Sequence, residues 1–455
     1  MTRPFLRTFL VVTSWLALSG SAGAEPHVIM ISIDGLRPEV YREPAQLGIE
    51  MPTLVALARE GVSADRMIPV FPSVTYPAHT TLVTGTRPAD HGIVTNFKEG
   101  LNWYLDAGDI RSQTLWQAAK AAGLSTAIVT WPATYGAQVD FLVPENLDLE
   151  ASNIPELIRD GSTPGLFDEL AERCGPIEIA PFNSVEAGEQ IDHMTTCFAA
   201  EVLRRHKPQL LLVHFLDADH LQHSYGPDSP EAMRAFERID RSIGRLVAAT
   251  QAAGIEEKSV FVIVGDHGFV RVHTFLNLNA ILLQAGFADL VDDKIELSRG
   301  IEVTAIGGAG AVYARNPWTA RGLESALREV IDRRYHGILE WIPAIELERM
   351  GAFPGARVGL AATPGFMLVS LGLPRTTLPS RDLKGMHGYL PGLPEMATGF
   401  IARGPGIRQG VEIPLIRQLD VAPTLARLLG VELGRADGLP IAGLLEEPEP
   451  AESGP

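Results

Sequence analysis

Six residues of metal-binding type stand in four short motifs: Asp34; Asp219 with His223; Asp266 with His267; and His387. A hydroxyl, Thr75, lies in Phe71-Pro72-Ser73-Val74-Thr75-Tyr76-Pro77. Carboxylates and imidazoles are zinc ligands, and three or four per ion is usual. Three of the motifs, all but that of His387, follow apolar runs that read as buried strands. The pattern describes two metal ions at one end of a sheet beside a hydroxyl nucleophile. That is the chemistry of phosphoryl or sulfuryl transfer.

The elements that must position these residues are legible as punctuated apolar runs. His27–Ile33, Thr126–Thr130, Gln209–Leu216, Ser259–Val264 and Thr398–Ala402 read as strands. Pro52–Glu60, Ser112–Ala122, Pro230–Ala253 and Val421–Leu429 read as helices. Alternating strands and helices predict an α/β fold, a mostly parallel central sheet with helices on both faces. Ligands of such sheets bind outside the carboxyl ends of the strands, where Asp34, Asp219 and Asp266 fall. Asp219 and His223 are four residues apart, so one helical turn brings both to one ion. The expected catalytic domain spans 25–275 plus 382–445. The loosely patterned stretch 276–381 reads as an inserted cap, and 446–455 as an acidic, proline-bearing tail.

With 455 residues, 46% of them hydrophobic and 20% charged, the chain can bury a large core. Residues 1–24 read as a cleavable signal peptide. Arg3 and Arg7 precede the apolar stretch Phe9–Leu18, and Ala22-Gly23-Ala24 supplies small residues for cleavage after Ala24. The expected location is periplasmic or secreted, with no stable membrane span after cleavage. The formal charge is −17 and falls by two, to −19, without Arg3 and Arg7. Such an acidic surface argues against general nucleic-acid binding. Cys174 and Cys197 are the only cysteines. In a secreted chain they invite one disulfide, with two buried thiols as the other reading. No Cys-x-Pro-x-Arg pattern surrounds either, which weighs against a sulfatase.

Read from the residues alone, Ser73, Thr80 and Thr81 rival Thr75 as nucleophile. A resemblance separates them. The chain is similar to the nucleotide pyrophosphatase/phosphodiesterase branch of the alkaline phosphatase superfamily, over nearly its whole length after residue 24. Ser32-Ile33-Asp34-Gly35-Leu36-Arg37 resembles the first metal motif, and Phe71 to Gly85 the nucleophile segment, in which Thr75 takes the nucleophile's place. His91-Gly92-Ile93-Val94-Thr95-Asn96 resembles the segment whose asparagine donates to a phosphoryl oxygen. Asp219 to Pro227, Gly265 to Gly268 and His387-Gly388-Tyr389 complete it.

The resemblance implies two Zn2+ ions, one held by Asp219, His223 and His387, the other by Asp34, Asp266, His267 and the Thr75 oxygen. It implies attack by Thr75, a phospho-threonine intermediate, and Asn96 with a backbone amide near Thr75 as donors to the phosphoryl oxygen. His79 and His91 match no ligand position and read as structural. His214, His220, Asp217 and His273 read as supporting or surface groups. Monoesterases with a threonine nucleophile carry a lysine and an arginine on the strand after the asparagine segment. Here that stretch is Ala127 to Ala133, which lacks a cation and resembles a Trp-Pro-Gly segment with Ala133 in the glycine's place. Phe215 to Asp219 also departs from the acidic pair of many relatives. Small phosphate diesters or nucleotides are therefore the expected substrates. The alternatives are a phosphomonoesterase or phosphonate hydrolase on the same site, or a binding protein that kept the fold. Tyr76 could stack on a base or aryl leaving group, or be a packed core residue.

Overall fold

The computed structural model describes residues 26–99, 102–146, 153–316 and 320–446. The signal-peptide reading lies outside the described residues, as does the tail beyond Glu446. The central sheet has eight strands: β1 His27–Ile33, β2 Val62–Ala64, β3 Thr126–Val129, β4 Phe141–Val143, β5 Leu210–Phe215, β6 Ser259–Gly265, β7 Phe400–Arg403 and β8 Val411–Ile413. Their order is β8-β2-β7-β6-β1-β5-β3-β4. Only β7 opposes the direction of the others, pairing antiparallel with both β6 and β2.

The side chains of β1 point alternately to two cores, as the two-residue period of a strand dictates. Ile29, Ile31 and Ile33 enter one core, and Val28 and Met30 the other. The first core is closed by helices α1 Pro52–Glu60, α4 Ala187–His206, α5 Asp217–Tyr225 and α6 Pro230–Ala253. The second is closed by α2 Thr75–Thr84, α3 Leu115–Ala121 and α7 Val421–Leu429. The mostly parallel sheet covered on both faces matches the expected class.

Boundaries moved where local hydrogen bonds intervene. Helix α3 starts at Leu115 rather than Ser112, because Thr114 and Gln117 form a reciprocal capping box. β3 stops at Val129 because Thr130 turns into the left-handed region, φ +59°. Two helices lacked a sequence signal. All ten residues of α2 are buried, so it has no polar face to create a 3.6-residue period. Helix α4 is likewise buried along much of its length. Cys174 and Cys197 are joined as a disulfide, tying helix Leu166–Cys174 to α4.

Residues 301–362 build a separate four-stranded antiparallel sheet in the order Ile301–Ile306, Ala309–Ala314, Val358–Ala362, Leu339–Pro343. Its core takes in Val270, Val272, Tyr389 and Met396. It therefore packs directly behind the His387 segment.

His91 is fully buried. Its Nδ1 accepts the Ile93 N–H at 3.2 Å, which leaves Nε2 as the donor to Thr81 Oγ1 at 3.1 Å. Burial pushes its pKa from 6.5 down to about 3. The unfolded chain takes up that proton near pH 6.5 and the folded protein does not. Stability is therefore full above pH 6.5 and is lost as pH falls from there toward 3. His91→Gln should flatten the fall of melting temperature between pH 6.5 and 4, read by calorimetry. An unchanged slope would mean that another group sets it.

Candidate active site

Register creates the site. Ile33 pairs with Phe215 on one side and Gly265 on the other, so β1, β5 and β6 end level. Asp34 and Asp266 follow directly on β1 and β6. Asp219 sits in the first turn of α5, which follows β5 after Leu216. His223 lies one turn further along α5, its Nε2 3.4 Å from Asp219 Oδ2. His267 Nε2 lies 3.1 Å from Asp34 Oδ1, 3.2 Å from Asp266 Oδ2 and 4.0 Å from Asp219 Oδ1. His387 arrives from the far end of the chain. Its Nε2 is 3.7 Å from Asp219 Oδ1 and its ring stacks on His267 with centroids 3.5 Å apart.

Three imidazoles are aimed by the same device. The Nδ1 atoms of His223, His267 and His387 face the carbonyls of Gly385, Gly268 and Ser73 at 2.9, 3.2 and 3.2 Å. Such bonds place the proton on Nδ1 and leave Nε2 as a ligand. The His387 segment is seated from both sides. Gly388 N–H donates to the Ser73 carbonyl at 2.9 Å, and Gly308 N–H donates to the His387 carbonyl at 3.0 Å. A Cβ on Gly308 would come within 2.3 Å of the Tyr389 ring.

The donor set fits metal. Asp34 Oδ1, Asp219 Oδ1 and Asp266 Oδ2 are buried oxygens with no hydrogen-bond donor, and leaving a buried charge unpaired is costly. Ligand atoms of Asp219, His223 and His387 lie within 4.8 Å of one another, as do those of Asp34, Asp219 and His267. Asp219 thus borders both groups, where the sequence assigned it to one. Asp266 gives Oδ1 to the Gly35 N–H at 3.0 Å and turns Oδ2 inward.

The electrostatics of the protein groups alone are strained. Burial and the Asp34 charge push the Asp266 carboxyl up to about 7 and hold that of Asp219 well above its usual range. Burial also opposes ionisation of Asp34, yet the His214 and His267 imidazoles beside it hold its carboxyl well below the ordinary value. Burial favours neutral His267, but Asp266 and Asp34 raise its pKa to about 9. Protons here occupy positions that a divalent cation would take over, and binding would release them.

Four hydroxyls compete near this centre. Those of Ser73, Thr80 and Thr81 donate to the carbonyls of Tyr389, Tyr76 and Thr86 at 2.8, 2.8 and 3.0 Å. Thr75 Oγ1 faces His267 Nε2 at 3.3 Å. Thr75 is the first residue of α2, so the positive end of that helix lies at its back. Asn96 Oδ1 accepts the Tyr76 N–H at 3.0 Å, which leaves the amide NH2 as its free end. The Tyr76 amide, the donor next to Thr75, is thereby already engaged.

The profile of the type I phosphodiesterase / nucleotide pyrophosphatase family matches residues 28–339. The chain belongs to this family. Hydrolysis of phosphodiesters is the chemistry that membership indicates. Human ectonucleotide pyrophosphatase/phosphodiesterase family member 7 is 24% identical over 433 residues, covering 92% of this chain and 83% of that protein. The bovine bis(5'-adenosyl)-triphosphatase is 25% identical over 431 residues, with coverages of 91% and 80%. The fold is shared with murine ectonucleotide pyrophosphatase/phosphodiesterase 5, solved as an inactive threonine-to-alanine variant with AMP. That comparison has a TM-score of 0.63 and 20% identity, and covers 91% of this chain and 97% of the murine chain.

Within this family member the residues set aside from the ligand set can now be placed. Tyr76 is buried, its ring stacks on Trp103 at 5.2 Å, and its hydroxyl donates to Glu145 Oε1 at 2.6 Å. Of its two readings the packed one describes what is seen. His79 is buried with Nδ1 2.8 Å from the Thr75 carbonyl, and Asp217 takes Arg238 at 2.6 Å. His273 lies at the surface beside Thr274. Ala133 has φ +56°, which accounts for glycine being usual there, since only glycine adopts that backbone freely. Sequence reasoning passed over Glu145, which backs Asp34 through His214, one of the groups read as supporting or surface. One signal for Glu145 was available: it follows the carboxyl end of β4, as the metal-type acids follow β1 and β6.

No helix among the described residues is long and apolar enough to cross a membrane.

Proposed function

We propose that the chain is a two-zinc hydrolase of phosphate diesters or nucleotide pyrophosphates that works through a phospho-threonine. The observation that carries this reading is the gathering of three carboxylate oxygens without hydrogen-bond donors and three carbonyl-anchored imidazoles at one centre, which the Thr75 hydroxyl meets through His267. Asp219, His223 and His387 would hold one ion, and Asp34, Asp266, His267 and Thr75 the other, with Asp219 at the boundary. When bound, the ions supply positive charge that acidifies the Thr75 hydroxyl and offsets charge on the phosphoryl oxygens. Thr75 Oγ1 forms a bond to phosphorus as the bond to the leaving oxygen breaks. Water then cleaves the Thr75–phosphorus bond, and the monoester departs. The Asn96 NH2, fixed by its bond to Tyr76, donates to the phosphoryl oxygen.

The diester preference rests on charge. A monoester's second negative oxygen calls for extra cations. Three arginines near the motifs are committed elsewhere: Arg37 to Glu39 and Asp228, Arg238 to Asp217, and Arg271 toward Asp228. The stretch Thr130 to Ala133 is buried and uncharged. The bovine relative's name and the murine relative's AMP support a nucleotide substrate, and the inactivating change in the murine variant supports a threonine nucleophile. The stretch 276–381, taken as a cap, would shape the leaving-group side. The reading of residues 1–24 and the disulfide support a periplasmic or secreted location.

The test is a paired assay of a bis-aryl phosphate diester against an aryl monoester, each with and without chelator. Turnover that favours the diester by two orders of magnitude or more and vanishes with chelator is expected. A preference for the monoester would reverse the charge argument.

A further inference from the structure

Behind Asp34 runs a buried chain of polar groups with no place in the ligand set. His214 Nε2 lies 3.3 Å from Asp34 Oδ2, on the carboxylate edge opposite the one that faces His267. His214 Nδ1 lies 3.1 Å from Glu145 Oε2 and 3.3 Å from the Thr130 carbonyl. Glu145 Oε1 accepts the Tyr76 hydroxyl at 2.6 Å, and the Tyr76 N–H is the one bound by Asn96. His214 is 1% exposed and Glu145 2%. The strained Thr130, φ +59°, donates its hydroxyl to the His214 carbonyl at 2.9 Å. β-branched residues rarely adopt that conformation.

A buried carboxylate is costly unless well partnered, and among the described residues no lysine or arginine pairs with Glu145. Its two partners are His214 and Tyr76, and each leads to the site: His214 to Asp34, and Tyr76, which adjoins the nucleophile, to Asn96. We infer that His214 and Glu145 form a positioning pair, which orients Asp34 toward its metal ion and locks that ligand to the Thr75–Asn96 side of the centre. This rests on the proposed reading of Asp34 as a ligand. His214 donates to Asp34 Oδ2, so Oδ1, which lacks a hydrogen-bond donor, is the oxygen left for metal. Glu145 holds the imidazole in the plane that makes this bond. Neither residue touches the reacting atoms.

The experiment measures zinc affinity by chelator competition, together with kcat and KM, for His214→Leu, His214→Gln, Glu145→Gln and Asp34→Asn. Melting of each metal-free variant is followed by circular dichroism. Metal-supporting hydrogen bonds are worth roughly 10–100-fold in affinity or activity. His214→Leu should weaken zinc binding at one of two sites by that factor and lower kcat with KM little changed. His214→Gln, whose amide can still donate to Asp34, should recover most of both. Glu145→Gln should fall between. A role in stability alone would lower melting in His214→Leu without changing zinc affinity, and that result overturns the inference. If Asp34→Asn loses zinc while His214→Leu keeps it, the inference fails and the ligand reading stands. If Asp34→Asn keeps both ions, the two fall together.

Discussion

Thr75→Ala should lower turnover by on the order of 10⁴-fold to 10⁶-fold, as removal of a nucleophile does in other covalent hydrolases, and leave the fold intact. The two halves of that expectation have separate physical grounds. The hydroxyl makes no capping bond in α2, whose N-cap is the backbone of Val74, so its loss frees no helix end. It faces His267 Nε2, whereas Ser73, Thr80 and Thr81 spend their hydroxyls on backbone carbonyls. Ser73→Ala and Thr80→Ala should therefore stay within about tenfold of the parent, the scale of one lost hydrogen bond. Thr75→Ser keeps an oxygen at the same place and should retain measurable turnover. Acid quenching during turnover of a labelled diester, followed by peptide mapping, should find phosphate on Thr75. Thr75→Ala with more than a few per cent of parental turnover would remove the covalent mechanism.

Metal removal should abolish activity and destabilise the protein together. Asp34, Asp219 and Asp266 bring two buried carboxylates and one partly buried one around His267. Proton uptake relieves their repulsion in part: burial and the Asp34 charge raise Asp266 to about 7. A cation that binds the folded state only adds RT ln(1 + [L]/Kd), about 4 kcal/mol at a thousandfold excess over Kd. Dialysis against chelator should thus lower the melting temperature by several degrees and take turnover to background, with zinc restoring both. Binding should weaken as pH falls through 7, because Asp266 then takes up a proton beside His267, which already holds one, and both protons must leave for the metal to bind. Asp219→Asn should impair both ions, since Asp219 belongs to both ligand clusters. A demetallated protein with full turnover would end the cofactor assignment.

The four-stranded sheet of residues 301–362 enters these expectations through the turn between its first two strands. The turn at Gly307-Gly308 holds the His387 carbonyl, and Tyr389 fills the space a side chain on Gly308 would need. His387 stands at the end of a two-residue strand, Gly385–Met386, paired with Val270 and Arg271. No apolar run announces it. Its place is set by residues more than 70 positions away in sequence.

The sequence by itself determined the reaction class, the fold class and five of the eight strands of the central sheet, among them the two that end at Asp34 and Asp266. Ligand chemistry belongs to residue type, and a strand buried on both faces must be a short continuous apolar run, as His27–Ile33 and Ser259–Gly265 are. Helix α6 announced itself by an amphipathic period and closing glycine, whereas wholly buried α2 could not. Only the tertiary structure decided which hydroxyl stands free, that Tyr76 is packed rather than presented, and that Asp219 borders both ligand groups. It also decided that His214 and Glu145 stand behind Asp34, across sequence separations of 180 and 69 residues. The reason is physical: periodicity records which face of an element is buried, and says nothing of which side chain on a distant element will meet it there.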